Sequence, residues 1–138
     1  MSLTAAVMLQ AALLSATTDY AVAHKSMQET GQPLVVLVAA DWCGACQQMK
    51  TSVIPQLRQR GALSGVAFSI VDVDAQRQLA GQLMSGGLIP QLVVYHKTSS
   101  GWRRHRLVGV QSPDTVEALI HQAISESTAE VVKKVAEK

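Results

Sequence analysis

The chain has 138 residues, of which 48% are hydrophobic and 16% are charged, and its formal net charge is +2 at pH 7. This composition excludes an intrinsically disordered chain, because enough apolar side chains are present to bury a core. The small net charge gives no electrostatic basis for binding nucleic acid. We therefore expect one folded domain and no nucleic-acid partner.

Residues 1–18 are predicted to form an N-terminal arm outside the main domain. The stretch from Leu3 to Leu14 is mostly apolar, and no Lys or Arg precedes it. Its length suits the core of a signal peptide, but it is too short to span a bilayer. Two interpretations stay open, an extra helix or strand packed on the domain and a remnant of an export signal. In either case we expect no stable membrane insertion.

The remaining elements, taken in chain order, predict an α/β fold. We predict a helix over residues 20–30, a strand over 34–39, a helix from 43 to about 60, a strand over 66–73, a short helix capped by Asp74, strands over 91–96 and 103–108, and a last helix that starts at 112–114. The strand over 34–39 has no polar residue and suits a central position covered on both faces. Gly31 and Gly61 end two of the helices. Pro55 is expected to kink or shorten the second helix.

This order of elements sets the expected topology. Helical connections between the early strands favour parallel pairing, and the short connection between the last two strands favours an antiparallel hairpin. We therefore expect a central mixed β-sheet of roughly four to five strands, flanked by helices on both faces. Residues 19–125 would form this domain, and residues 126–138 continue the helical pattern as a C-terminal extension. We expect the chain to be a monomer.

The segment Trp42-Cys43-Gly44-Ala45-Cys46 joins the apolar strand to the start of a helix. A thiol at a helix N-terminus faces unpaired backbone N–H groups and the positive end of the helix dipole, which both favour the thiolate. Because the thiolate is the attacking form, we predict that Cys43 is the reactive group. Cys46 lies one turn further along, close enough to form a disulfide with Cys43 but shielded from solvent.

The pair of cysteines has two other interpretations, half of a zinc site and two inert structural residues. Zinc sites use about four ligands. The histidines are scattered along the chain without ligand spacing; they are His24, His96, His105 and His121. We therefore predict redox chemistry at the two cysteines and no metal site.

Four short motifs in this order resemble the thioredoxin family. They are the Trp-Cys-x-x-Cys segment at residues 42–46, Val71-Asp72-Val73-Asp74 at the end of a strand, Ile89-Pro90, and Leu107-Val108-Gly109-Val110 before the last helix. The resemblance covers residues 20–124 and implies the thioredoxin fold, with a cis peptide bond before Pro90. It also implies a protein thiol–disulfide oxidoreductase. The region before the first strand looks more like the secreted disulfide reductases and isomerases, so a periplasmic or other extracytoplasmic location is slightly favoured.

The resemblance implies a role for each residue around the two thiols. Cys43 attacks a disulfide of a partner protein, and Cys46 then attacks Cys43 and releases the reduced partner. The residues expected to contact the substrate are Trp42, Gly44, Ala45, Ile89 and Pro90. In the family, the backbone before the cis-proline pairs with an extended substrate. No cofactor is required, and the implied partners are disulfide-containing protein substrates and an upstream thiol reductase or oxidase.

Departures from the family pattern bear on function. The buried Asp and the facing Lys of the family correspond to Leu37 and Ile70, so the usual proton carrier for the second cysteine is missing. Ala45 stands where strong reductants have Pro, and Gln91 where the family has Thr. Because about 30 mV of potential corresponds to about 1.4 kcal/mol, one such change can turn a reductant into an oxidant. The direction of exchange stays open, as do two rivals, a redox-inactive thioredoxin-fold binding module and a metal-handling accessory protein that uses the two cysteines.

Overall fold

The structure, a computed structural model, describes residues 19–136, and the side chains of residues 130–134 lie outside that description. The predicted arm at residues 1–18 and the last two positions of the predicted extension are also outside it. In chain order the elements are α1 (Tyr20–Thr30), β1 (Leu34–Ala39), α2 (Gly44–Gln48), a π-helical turn (Met49–Val53), α3 (Ile54–Gln59), β2 (Ala67–Asp72), α4 (Arg77–Leu83), β3 (Gln91–Thr98), β4 (Gly101–Val108) and α5 (Pro113–Ala136). Within the described part, no helix is long and apolar enough to cross a membrane.

The described strands form a mixed sheet in the order β2-β1-β3-β4. β1 pairs in parallel with β2 and antiparallel with β3, and β3 and β4 form an antiparallel hairpin. All six residues of β1 are buried, as its uninterrupted apolar sequence predicts. The expected mixed sheet with helices on both faces is confirmed.

The two faces of the sheet bury two separate clusters of side chains, because successive residues of a strand point to opposite faces. Val35 and Leu37 pack with residues of the π turn, α3 and α5. Val36 and Val38 pack instead with α1 and α4. The central strand therefore holds both helical layers, and its C-terminal end leads directly to the two cysteines.

Local sequence signals fix the first and last helices. α1 ends where Gly31 adopts φ 76°, a left-handed conformation that glycine reaches without steric cost. At the start of α5, the Ser112 hydroxyl oxygen accepts a hydrogen bond of 3.1 Å from the Thr115 N–H. α5 continues without a break to Ala136, so residues 126–136 extend the same helix.

The helix that follows the cysteines departs from α-helical geometry, as expected from Pro55. The irregular turn lies before the proline rather than at it. Over Met49–Val53 the helix widens to a π turn, in which the Ile54 N–H donates to the carbonyl of Met49, five residues earlier. A proline clashes with the carbonyl four residues before it. The wider turn ends two residues before Pro55 and accommodates its ring. Met49, Val53 and Leu57 still form the predicted buried stripe.

The prediction that Asp74 caps a short helix is wrong. α4 starts at Arg77, and no side chain caps it. Asp72 forms the turn instead, because its carboxylate accepts hydrogen bonds of 2.9 Å from the N–H groups of Asp74 and Ala75. This leaves the Asp74 carboxylate free to reach across to the segment that contains the cysteines.

α5 meets the β3–β4 hairpin through a row of polar side chains that the sequence does not indicate. The Nε2 atoms of His96 and His105 lie 3.0 Å apart, and a carboxylate oxygen of Glu126 lies 3.3 Å from the Nδ1 of His96. The ring planes differ by 2° and the centroids are 5.1 Å apart. This separation of the centroids is close to the N···N distance plus the two ring radii, so the rings meet edge to edge, and the tautomers of the two rings decide which nitrogen donates.

We expect the free energy of unfolding to decrease as the pH is lowered through the range in which histidine titrates. Burial lowers the pKa of His96, Glu126 opposes this shift, and His105 and Arg103 add to it. The unfolded chain therefore binds a proton first, near pH ~6.5, and the stability present above that pH is lost below it.

Urea unfolding of the wild type and of His96→Gln between about pH 5.5 and pH 7.5 measures this effect, because the variant lacks the buried imidazole. His121→Gln is the matched control, since the His121 side chain is mostly exposed. An equal pH dependence in the wild type and in His96→Gln would contradict the assignment.

Candidate active site

Cys43 occupies the N-cap position of α2, after a short turn over residues 40–42 that follows the central strand. Its backbone is extended, and its sulfur accepts a hydrogen bond of 3.2 Å from the Cys46 N–H. That N–H is one of the helix-terminal donors that have no partner within the helix. The Cys43 side chain is half-buried, so solvent and a partner can reach its sulfur.

Cys46 lies one helical turn below Cys43 and is fully buried, with 0% of its surface exposed. Burial, and after it the hydrogen bond to Cys43, raise the pKa of the Cys46 thiol to about 11. The backbone at Ala40 and the positive charge of Lys50 act in the opposite direction. Both cysteines are free thiols. The site therefore combines an accessible sulfur with a shielded one that keeps its proton at neutral pH.

The loop before β3 brings Ile89 and Pro90 to the two thiols. The peptide bond between these residues is cis. The carbonyl oxygen of Ile89 lies 3.9 Å from the Cys43 sulfur, in position to accept its S–H. On the other side of the loop, the Gly109 N–H donates a hydrogen bond of 2.8 Å to the Pro90 carbonyl. The end of β4 thus holds the loop that forms one wall of the site.

Trp42 directly precedes Cys43 and is strongly exposed, with 71% of its surface accessible. Its indole N–H donates a hydrogen bond of 2.8 Å to the carboxylate of Asp74. The bond fixes one end of the ring while its faces stay open to a partner. Between the cysteines, Gly44 is exposed and Ala45 is half-buried. The sequence does not predict that Asp74 binds the Trp42 indole, because the two residues are 32 positions apart.

Gln91 holds the shape of the loop that carries Ile89. Its fully buried side-chain amide donates to the carbonyls of Ser85 and Leu88, at 3.0 and 2.8 Å, and accepts from the Ser85 N–H at 3.1 Å. A threonine, which the family has at this position, is too short to make all three bonds. The departure from the family pattern therefore has a structural reason.

The interior behind the dithiol contains apolar side chains where the family has a charged pair. Leu37 is fully buried, and Ile70 is its direct register partner on β2. Among the residues that the structure describes, no group of three or more His, Cys, Asp or Glu side chains is arranged to hold a metal ion.

A solvent-accessible thiol at a helix N-terminus, backed by a buried one and faced by a cis-proline loop, defines a class of protein, the thiol–disulfide oxidoreductases built on the thioredoxin fold. The comparison with known families agrees. A sequence model of the family described as Thioredoxin matches residues 15–122, and the chain belongs to the thioredoxin family.

Individual relatives are distant. The chain is 26% identical over 111 residues to the thiol:disulfide interchange protein DsbD of Ralstonia nicotianae, a match that covers 78% of this chain and 18% of that protein. The chain therefore spans less than a fifth of that relative's length.

Solved structures of thioredoxins share the fold. Chloroplastic thioredoxin z superimposes with a TM-score of 0.63 at 20% identity, covering 78% of this chain and 91% of that one. A thioredoxin from Thermus thermophilus gives a TM-score of 0.62 at 24% identity, covering 75% and 82%. At these identities the likeness concerns the fold alone.

Proposed function

We propose that the protein exchanges disulfides with partner proteins through Cys43 and Cys46. The substrates are proteins that contain a disulfide, and the dithiol is regenerated or oxidised by an upstream thiol reductase or oxidase. The likeness to a thiol:disulfide interchange protein supports exchange with protein partners rather than with small thiols alone.

The exchange has two steps. The Cys43 thiolate attacks one sulfur of the partner's disulfide, a bond forms between Cys43 and that sulfur, and the other partner sulfur leaves as a thiolate. Cys46 then loses its proton to water and attacks Cys43. The mixed disulfide breaks, the second partner sulfur leaves, and Cys43 and Cys46 end as a disulfide. The partner gains two electrons and the dithiol loses two.

The observation that carries this proposal is the unequal burial of the two sulfurs. A partner can reach Cys43, which is half-buried, whereas Cys46 is sealed behind it. The assignment of nucleophile and resolving thiol follows from that difference. The Ile89 backbone beside Cys43 offers a place for an extended segment of the substrate to pair. Trp42 and the exposed Leu88 supply apolar contact area around it.

Trapping of mixed disulfides tests the proposal. Because Cys46→Ser lacks the resolving thiol, we expect it, after reaction with intact disulfide-bonded insulin or with cellular partners, to remain linked to them by a mixed disulfide that is seen on non-reducing electrophoresis. The bound protein should be released by dithiothreitol. The double variant Cys43→Ser/Cys46→Ser is the control and should trap nothing. Equal trapping by the two variants, or none by either, would favour a binding module without turnover.

A further inference from the structure

The loop between α4 and β3 has no backbone hydrogen bonds of its own over the residues that approach the thiols. Among the backbone–backbone hydrogen bonds of the described chain, none involves residues 85–89. Gly86 and Gly87 have no side chains to restrict the backbone, and Gly86 adopts φ 74°. Residues 85–88 are all exposed to solvent. Contacts from outside the loop must therefore fix its conformation.

Gln91, the first residue of β3, makes those contacts from the protein interior. Its amide nitrogen donates to the carbonyls of Ser85 and Leu88, and its amide oxygen accepts from the Ser85 N–H. Among the described side chains, Gln91 is the one that hydrogen-bonds to residues 85–88. Because β3 is fixed between β1 and β4, this buried side chain ties both ends of the loop to the sheet.

The bond to the Leu88 carbonyl also sets the direction of the Ile89 N–H. The peptide bond between Leu88 and Ile89 is trans. In a trans peptide unit the C=O and the N–H lie in one plane and point in opposite directions. The Leu88 carbonyl points inward to the Gln91 amide at 2.8 Å, so the Ile89 N–H points away from the interior. Within the described residues no backbone acceptor binds that N–H, so it is available to a substrate.

We propose that Gln91 is a positioning residue that makes the site select disulfides in extended polypeptide segments over small disulfides. An extended segment that pairs with the outward Ile89 N–H meets a loop that is already ordered, so binding does not lose the conformational entropy of the loop. A small disulfide has no backbone to pair with Ile89 and gains nothing from this order. The inference rests on the proposed function and goes beyond it, because it names the residue that decides the substrate class.

Two disulfide substrates that both react with Cys43 test this role in the full-length protein. Intact insulin is a polypeptide, whereas dithiobis(nitrobenzoate) is a small chromogenic disulfide without a peptide backbone. In Gln91→Met the side chain keeps nearly the volume of glutamine but loses its hydrogen bonds, and the freed groups of the exposed loop can turn to water. With dithiothreitol as reductant, we expect kcat/KM for insulin to fall about tenfold, the effect of ordering roughly one loop residue on binding. The rate constant for release of the first thionitrobenzoate should stay at the wild-type value.

A second variant and a matched control accompany this substitution. Gln91→Thr introduces the residue of the family, which is too short for all three bonds, so it should shift the selectivity in the same direction. The control is Gln56→Met, which removes a glutamine amide that donates to the carbonyl and the hydroxyl of Ser52, four positions earlier. Because Gln56 does not contact the loop, this control should leave the rates with both substrates unchanged.

The ratio of the two rate constants separates positioning from general stability. An equal ratio in the wild type and in the folded Gln91 variants would overturn the role of Gln91 while leaving the proposed function intact. Loss of the folded state in both variants, seen by urea unfolding, would also overturn it, since Gln91 would then support the whole domain rather than one loop. A wild type that reduces neither insulin nor the small disulfide would instead refute the proposed function itself.

Discussion

Cys43→Ser should catalyse the reduction of insulin no faster than dithiothreitol does without the protein. A serine hydroxyl does not attack disulfides at neutral pH, because it stays protonated and forms no bond equivalent to the mixed disulfide. The remaining thiol, Cys46, is fully buried and has a pKa of about 11, so it cannot replace Cys43. The turbidity of precipitating insulin B chain measures the loss.

The substitution is expected to leave the fold intact, so the loss can be read as chemistry. Serine is among the preferred N-cap residues, and its oxygen can accept the Cys46 N–H that the Cys43 sulfur accepts. Equal urea unfolding curves for the variant and the wild type check this. Cys46→Ser provides the contrast when both variants react with the chromogenic disulfide dithiobis(nitrobenzoate). Its Cys43 still makes the first attack and releases one equivalent of thionitrobenzoate, but no second equivalent follows. Insulin reduction by Cys43→Ser at the wild-type rate would refute the assignment of the nucleophile.

Elements that depend on neighbours in the sequence could be predicted. The bounds of α1 and β1 follow from an apolar pattern closed by Gly31 and from an unbroken apolar run. The start of α5 follows from Ser112 and Pro113. The chemistry of the site was also visible, because Cys43 and Cys46 are three positions apart and lie at the junction of a strand and a helix.

Contacts between distant positions could not be predicted, because they depend on how the elements pack. The hydrogen bond from Trp42 to Asp74 needs a turn that Asp72 builds, and a sequence pattern does not distinguish which of the two acids makes it. The edge-to-edge contact of His96 and His105 depends on the register of the hairpin. Pro55 predicted a kinked or shortened helix, but the form of the distortion, a π turn over Met49–Val53, could not be predicted.

Placing an aspartate at Leu37 tests why the interior of this protein is apolar. Leu37 is fully buried on the central strand, with Ile70 on one side and Leu92 on the other. Leu37→Asp loses the burial of a large side chain and adds a carboxylate without a partner, so we expect a loss of about 4 kcal/mol or more in the free energy of unfolding. Urea unfolding measures it, and the loss is a large part of the total stability of a typical domain.

Leu37→Asn is the control, because asparagine has nearly the same size as aspartate but no charge. Burial raises the pKa of a carboxyl group in the folded state, so the folded Leu37→Asp binds more protons than its unfolded chain. Its stability should therefore fall relative to Leu37→Asn as the pH rises from about 4, and level off above the pKa of the folded state. A constant difference between the two variants across this range would contradict a buried charge.

A lysine at Ile70 should recover part of the loss. Ile70 is half-buried and directly opposite Leu37, so the stem of a lysine can pack there while its ammonium group approaches the new carboxylate. We expect Leu37→Asp/Ile70→Lys to be about 1–3 kcal/mol more stable than Leu37→Asp, because an uncompensated buried charge costs far more than a paired one. Ile70→Lys alone, measured by the same unfolding curves, completes the double-mutant cycle. A coupling energy near zero would mean that the two positions do not form a pair in this sheet, and that the chain has no place for the charged pair of its relatives.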